Sequence, residues 1–588
     1  MKLIICVLFG VFLSSAFAQE PQPAPALTAT SGAFNIAGSG ESGGDHPRLF
    51  PILHEAGVNM VRQFPEWAGI QPEKGQWDWS SADALIASAR NNGIQIAGVF
   101  AFLAPWASSA SNDSDHGART RTFPIKDIQY WRDYVRETAG RYRDDIKYWE
   151  VYNEFNTTTF SRNGTPADYA QMVRESDSEV KKVNPGAKIG IGCADVDLSF
   201  LERVIRSGAG GHFDFIAVHP YSLIDAALSG RESVFLSLGA NLRKLLKDTG
   251  QRSDIELWVT EIGTTTTGES ASEANQAAAL VKAYSLCLAQ GIKKVFWFEG
   301  RGPNYGQGSF GILRQDWSKR PSFQALSVMT GLLKSNPDFL GWLDIAPGSY
   351  GFVFDGKNEP VLVIWASNES GAAVKFEGPV TTIGIDGKIQ PVPASQSVPL
   401  TRAPVFVSGL PPAVLARAKA NVNKPFPWVK DFSTLQLASV QMGASNVESG
   451  LVQIAGADGD HNTVVELVNG VYARRTDKAN RNSYMNFDVS DSYAALGDKQ
   501  LEITVVARRT NPDKNASFVL CYESVTGYHE TKQGAMIGPK AEWQKFIFKI
   551  DDANFANSWG WNFRLDVSGS PSDVLVKEVH VKRIGAKK

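Results

Sequence analysis

The sequence predicts an α/β chain in three parts: a (β/α)8 TIM barrel, a small β-sandwich and a C-terminal jelly-roll-like β-domain. Three observations predict it. Over roughly the first 300 residues, apolar β-rich runs alternate with stretches of helical periodicity, eight of each. Past Ser335 the helices give way to short alternating strands and tight turns. Past a Pro/Ala/Lys-rich stretch the pattern is again all-β to the end. The expected boundaries are a signal peptide at 1–18, the barrel at 28–335, the small sandwich at 336–412, a linker at 413–427 and the C-terminal domain at 428–588. A doubly wound open sheet is the rival for the first part.

The elements follow in order. Strands are expected at Ala33 to Ala37, Asn59 to Arg62, Ile94 to Phe100, Ile146 to Glu154, Lys188 to Cys193, Phe213 to Tyr221, Ile255 to Ile262 and Lys293 to Phe298. The helical stretches between and after them are Pro47 to Ala56, Ser80 to Asn92, Ile128 to Tyr142, Pro166 to Val183, Leu198 to Ser207, Arg231 to Thr249, Ser272 to Gln290 and Pro321 to Lys334. Beyond them, Tyr350 to Phe354, Val361 to Ala366 and Ala373 to Phe376 alternate with turns such as Asp355-Gly356. The last part shows runs such as Leu501 to Arg508, Trp543 to Ile550 and Val574 to Lys582.

Composition narrows the function. A chain of 588 residues with 43% hydrophobic and 20% charged residues has ample core, and its formal net charge of -2 gives no electrostatic reason to expect nucleic acid. Lys2, the apolar run Leu3 to Phe12 and Ala16-Phe17-Ala18 have the pattern of a secretory signal, so the protein is expected to be secreted or periplasmic, with no membrane insertion after cleavage. Outside the signal, Cys193, Cys287 and Cys521 are an odd, scattered set, expected as buried free thiols. None of the eight histidines stands in an H-E-x-x-H pattern, so neither a catalytic metal nor a cofactor is expected. Oligomeric state is not legible.

The chemistry concentrates at two strand ends. Period-2 alternation puts Tyr148, Glu150, Tyr152 and Glu154 on one face of the fourth run, and Glu261 closes the seventh. In a closed barrel both carboxylates would enter the bowl at the C-terminal ends of the strands, where barrel active sites lie. Two carboxylates across a cleft suit glycosidic cleavage: one, as neutral acid, protonates the leaving oxygen, and the other, as anion, attacks or stabilises the oxocarbenium-like centre.

Together, Trp149-Glu150-Val151-Tyr152-Asn153-Glu154-Phe155-Asn156, Val259-Thr260-Glu261-Ile262-Gly263, His219-Pro220-Tyr221 and the stretch Gln71 to Trp79 resemble retaining glycoside hydrolases of clan A, nearest to family 39. The resemblance spans about Ala33 to Leu410. It implies that Glu154 is the acid/base, Glu261 the nucleophile, and Asn153 a partner of the hydroxyl next to the reacting carbon. One departure is Phe155, where the family often has Pro. A carbohydrate is the expected partner, and a non-catalytic carbohydrate-binding protein or a transglycosylase are the alternatives.

Other candidates surround the pair. His219 and Tyr221 end the sixth run, where a Tyr hydroxyl would hold the nucleophile ionised and correctly rotated. Arg62 closes the second, to pair with Glu150 below the site or to touch sugar. Trp106, Trp297 and Glu299 lie just past the third run or around the end of the eighth, with Trp297 expected as the floor of the sugar subsite. Arg231 and Arg301 are the residues that would favour an acidic sugar. In the last domain Tyr528, Trp543, Trp559 and Trp561 are the candidates for a carbohydrate-binding surface. The Gly38 to Gly43 stretch has dinucleotide-fingerprint spacing, but Arg62-Gln63 stands where a ribose-binding acid belongs, so it reads as a rim loop.

Overall fold

Among the described residues, eight parallel strands close into a barrel: β1 (Phe34–Ala37), β2 (Met60–Arg62), β3 (Gln95–Phe100), β4 (Tyr148–Val151), β5 (Lys188–Ala194), β6 (Phe215–His219), β7 (Glu256–Ile262) and β8 (Lys294–Phe298). β8 returns to β1, pairing Phe34 with Val295 and Ile36 with Trp297. The structure is a computed structural model, and it describes residues 32–38, 44–109, 122, 124–303, 308–368, 372–454, 460–495, 499–524, 526–539, 542–558 and 560–586. The expected signal peptide, most of the Gly38 to Gly43 stretch and Trp559 lie outside the described residues.

The barrel interior is a packed layer capped by a polar one. Met60, Ala97, Phe215, Trp258 and Phe296 form one buried cluster with Tyr148 and Phe298 against it. Alternation turns the odd neighbour outward, so Trp297 joins the larger core between strands and helices. Most helices form as their periodicity predicts. Pro166–Val183 opens on a capping box made by Thr165 and Asp168, which satisfies two otherwise unpaired N–H groups.

Three expectations are corrected. The Arg231 to Thr249 helix is broken into Glu232–Phe235 and Leu238–Asp248. The sixth strand ends at His219, and Tyr221 opens a further helix, Tyr221–Leu228, just after Pro220, whose fixed φ suits a helix entry. The expected linker at 413–427 is not a linker. Pro412–Lys419 is a helix that seats Val414 and Ala418 in the core of the small β-domain, and Trp428 then packs on Tyr350 with ring centroids 4.8 Å apart.

That small domain has a six-stranded antiparallel sheet and a two-stranded one, Ala373–Lys375 with Ser397–Pro399. It is fixed to the barrel by a buried cluster in which Glu232 accepts from Lys282 Nζ at 2.7 Å and from Trp365 Nε1 at 2.9 Å. The C-terminal domain folds one long strand path into two layers. The layers meet at Ser524 with Ala553 and at Ser439 with Gly450, and enclose a core containing Phe487, Phe518 and Phe563. Among the described residues, Cys193, Cys287 and Cys521 are buried and free.

The expected aromatic surface of this domain is split. Tyr528 and Trp561 meet in a tilted contact, ring centroids 4.2 Å apart, beside a groove of about 850 Å³, whereas Trp543 stands between Arg508 and Lys577.

Two buried acids give this domain a pH dependence. Burial pushes Asp488 and Glu523 up to about 7. The unfolded carboxylates ionise near pH 4 while the folded ones keep their protons, so stability is greatest at acid pH and falls between about pH 4 and 7. We expect calorimetry to show the C-terminal transition weaker at pH 7.5 than at pH 4.5, by on the order of 2 kcal/mol or more. Asp488→Asn should flatten that slope.

Candidate active site

The fourth strand stops earlier than its sequence predicts. It ends at Val151, and the chain continues through Tyr152 (φ 61) and Glu154 (φ 46), both left-handed. This irregular turn undoes the expected alternation. Tyr152 is buried outside the barrel, where its hydroxyl donates to the Phe160 carbonyl at 2.8 Å, while Glu154 reaches the bowl from the turn instead of the strand. β7 uses a different device. Its register against β8 slips between Val259 and Ile262, leaving one extra residue, so that both Thr260 and Glu261 reach groups inside the barrel.

A buried guanidinium joins the two strand ends. Arg62, at the end of β2, donates through Nε and Nη2 to Glu150 at 2.8 and 3.1 Å, through Nη1 to Glu261 at 2.7 Å, and through Nη2 to Asn153 Oδ1 at 2.9 Å. Burial alone would lower its pKa, but the charges of Glu150, Glu261 and Glu154 more than reverse this, and Arg62 stays charged. Gly192 makes room for the pair, since a Cβ there would lie 3.0 Å from Glu150 Oε1. Because Arg62 can only donate, Asn153 must accept through Oδ1, which leaves its NH₂ for the cleft that it lines.

Each catalytic candidate has its own partners. Tyr221 donates to Glu261 Oε2 at 3.0 Å. Burial, and then the charge of Glu261, push the Tyr221 hydroxyl well above its ordinary pKa, so it remains a donor. His219 Nδ1 lies 2.8 Å from Glu154 Oε1, and its Nε2 lies 3.0 Å from Thr260 Oγ1, whose own hydrogen points to Glu150 at 3.5 Å. Nε2 therefore donates, and Nδ1 donates wherever Glu154 is ionised. Burial works against the resulting imidazolium, yet the Glu261 charge and the Glu154 hydrogen bond outweigh it and the His219 pKa is raised. A nitrogen of His219 and one oxygen each of Glu154 and Glu261 all lie within 4.8 Å of one another. Such a trio has the donor set of a cation site, but Arg62 and Tyr221 already satisfy the two oxygens of Glu261.

The cleft above these groups has a volume of about 250 Å³. Phe64, Phe102, Phe160 and Phe298 form its apolar walls, and Gln63 and Glu66 add polar groups. Phe102 and Phe160 stack at 5.0 Å. Sequence reasoning missed these residues. Phe298 was accessible to it, because interior-facing Phe296 fixes the phase of the strand.

Three expected sugar contacts are corrected. Trp297 is 0% exposed among the helices, so Phe298, one residue on, faces the cleft. Glu299 is also 0% exposed, packed against the backbone at Gly302. Trp106 is half-buried below the rim, where its Nε1 donates to the Gln71 carbonyl at 2.9 Å and its ring meets Trp67 edge-on. Nor do the arginines proposed for an acidic sugar line the cleft. Arg301 pairs with Asp45 and lies over Trp317, and Arg231 acts on Glu448 and Asp488 of the C-terminal domain.

Known proteins resemble the chain at two levels. Residues 61–173, which run from β2 into the helix after β4, match the family Glycosyl hydrolase family 10. The chain is 30% identical over 114 residues to a thermostable celloxylanase of Thermoclostridium stercorarium, covering 17% of this chain and 29% of that protein. It is 28% identical over 102 residues to endo-1,4-beta-xylanase A of Fusarium oxysporum f. sp. lycopersici, covering 17% and 29%. It thus spans less than a third of these curated relatives. A solved family 39 glycoside hydrolase from Bacteroides cellulosilyticus WH2 superposes with a TM-score of 0.53 at 20% identity, over 64% of this chain and 80% of that one. In fold, the barrel is similar to a family 39 glycoside hydrolase structure over most of the chain's length, and its sequence is similar to family 10 across the segment that carries Glu154.

Proposed function

We propose that the protein is a retaining β-glycosidase in which Glu154 is the acid/base and Glu261 the nucleophile. The observation that carries this reading is the approach of the two carboxylates to within 4.8 Å at their nearest oxygens. Retaining enzymes hold the pair about 5–5.5 Å apart, whereas inverting ones need roughly 6.5–9.5 Å to admit a water.

The surrounding groups divide the work. Arg62 and Tyr221 each hold one oxygen of Glu261, fixing its rotation for attack on the anomeric carbon. His219 donates to Glu154 Oε1, so a proton on Glu154 is confined to the other oxygen, where it can pass to the leaving group. The C–O bond breaks as Glu261 forms the glycosyl ester. Glu154, now ionised, then takes a proton from water as that water attacks the same carbon and releases Glu261. The Asn153 amide is placed for the neighbouring sugar hydroxyl.

The cleft favours a neutral sugar. Among the described residues Arg62 is the only cationic side chain lining it, and its donors are engaged by Glu150, Glu261 and Asn153. The names of the matched relatives put β-xylosides and β-1,4-xylan first in a substrate panel. The N-terminal run Lys2 to Ala18 supports export, which the N-terminal sequence of the protein recovered outside the cytoplasm would check.

The test is stereochemical. Proton NMR of aryl β-xyloside cleavage should show the β-anomer first, and a mechanism-based fluoroglycoside should label Glu261. A first-formed α-anomer, or a panel that gives binding with no turnover, would overturn the proposal.

A further inference from the structure

The C-terminal domain touches the barrel near the catalytic pair. Its loop around Ala556 to Ser558 is set rigidly by its own domain. The buried Glu523 carboxylate accepts from the backbone N–H groups of Ala556, Asn557 and Ser558 at 2.9, 2.8 and 2.7 Å, and from Asn562 Nδ2 at 2.8 Å. The loop then presses on the barrel at separate points. Ala556 is buried in the barrel's own core cluster, and the backbone at Gly560 comes so close to Ser222 that a Cβ at 560 would lie 3.0 Å from the Ser222 Cβ. The Ser558 hydroxyl sits beside both Asp197 and Glu523. The domain is anchored nearby by Asn241 Nδ2, which donates to Asp491 at 2.8 Å.

What lies under these contacts is the support of the reacting groups. Asp197 accepts from Asn156 Nδ2 at 3.2 Å, and Asn156 Oδ1 accepts from the Ala194 N–H at 2.8 Å. Asn156 thereby ties the turn that carries Glu154 to the end of β5. Ser222 donates to Asp195 at 2.7 Å and directly follows Tyr221, the donor to Glu261.

We propose that the C-terminal loop bearing Ala556, Ser558 and Gly560 is a positioning element of the catalytic site, which it steadies through Asp197 and Asn156 on the Glu154 side and through Ser222 on the Tyr221 side. The domain is thus part of the machinery as well as any surface of its own. This rests on the assignment of Glu154 and Glu261, and the experiment separates the two.

In the full-length chain, Ser558→Ala and Glu523→Gln are compared with Ser558→Thr and with Lys545→Ala, a distant surface control. Two readouts are taken: kcat and KM on an aryl β-glycoside, and hydrogen exchange at residues 153–157 and 220–223. We expect kcat to fall about tenfold in the first two variants with KM within twofold, and exchange to quicken in both segments. Ser558→Thr should recover kcat, and Lys545→Ala should match the parent. If Glu523→Gln loosens its whole domain, Ser558→Ala alone decides. Unchanged kcat and unchanged exchange in Ser558→Ala would overturn the proposal, as would an equal loss in Ser558→Thr. A parent chain with no turnover would defeat the glycosidase reading, and the exchange result would still decide this one.

Discussion

Glu261→Gly should abolish hydrolysis of an aryl β-glycoside, with kcat lower by about four orders of magnitude or more, the scale of losing a covalent nucleophile. The fold should survive, since Glu261 stands at the mouth of the barrel with 13% of its side chain exposed. Azide supplies an informative control. A small anion entering the space left by the carboxylate would attack the same carbon and restore release of the aryl alcohol, giving a glycosyl azide of inverted configuration. Rescue with inversion identifies the missing group as the nucleophile; full activity without azide would remove Glu261 from the mechanism.

Arg62→Met should damage both stability and rate. Glu150 and Glu261 would lose their shared cation in a site where the Arg62 and Glu150 side chains are 5% and 4% exposed. Breaking a buried ion pair from one side costs about 3–5 kcal/mol, because the remaining charge is left desolvated. Removing a preorganised donor from a reacting oxygen lowers kcat by roughly 10²–10³-fold. The double change Arg62→Met with Glu150→Gln separates these effects. It should recover much of the unfolding temperature, since one stranded charge is gone, but leave kcat low, since Glu261 still lacks the charged donor to its Oε1. Recovery of both would make Arg62 structural only.

Much of this centre was legible because it lies where strand periodicity and closure leave little freedom. Eight alternating units place Arg62, Glu154, His219 and Glu261 at one end of a barrel, and there they meet. Legibility failed where the backbone leaves its period. Glu154 was expected to close a strand, but two left-handed residues carry it, and no alternation rule describes such a turn. Trp297 failed for the opposite reason: the strand is regular, and its phase turns the indole outward. The supposed linker failed because proline and alanine at 411–418 also suit a helix start, and only tertiary contact decides between them. The docking of Ala556 against the barrel spans several hundred positions, which no local pattern reports.

The grouping of Arg62, Glu150, Glu261, His219 and Glu154 has a consequence for the reaction as a whole. On the roles proposed for Glu154 and Glu261, and with His219 an imidazolium, the two cations balance the anions Glu150 and Glu261 before reaction. In the glycosyl-enzyme the ester has removed the charge of Glu261, and Glu154 has become the anion. The assembly is electroneutral at both resting points, so its negative charge crosses from one wall of the cleft to the other without being gained or lost. A low-dielectric pocket walled by phenylalanine tolerates that relocation far better than a net charge, which would have to be solvated anew at each half-reaction.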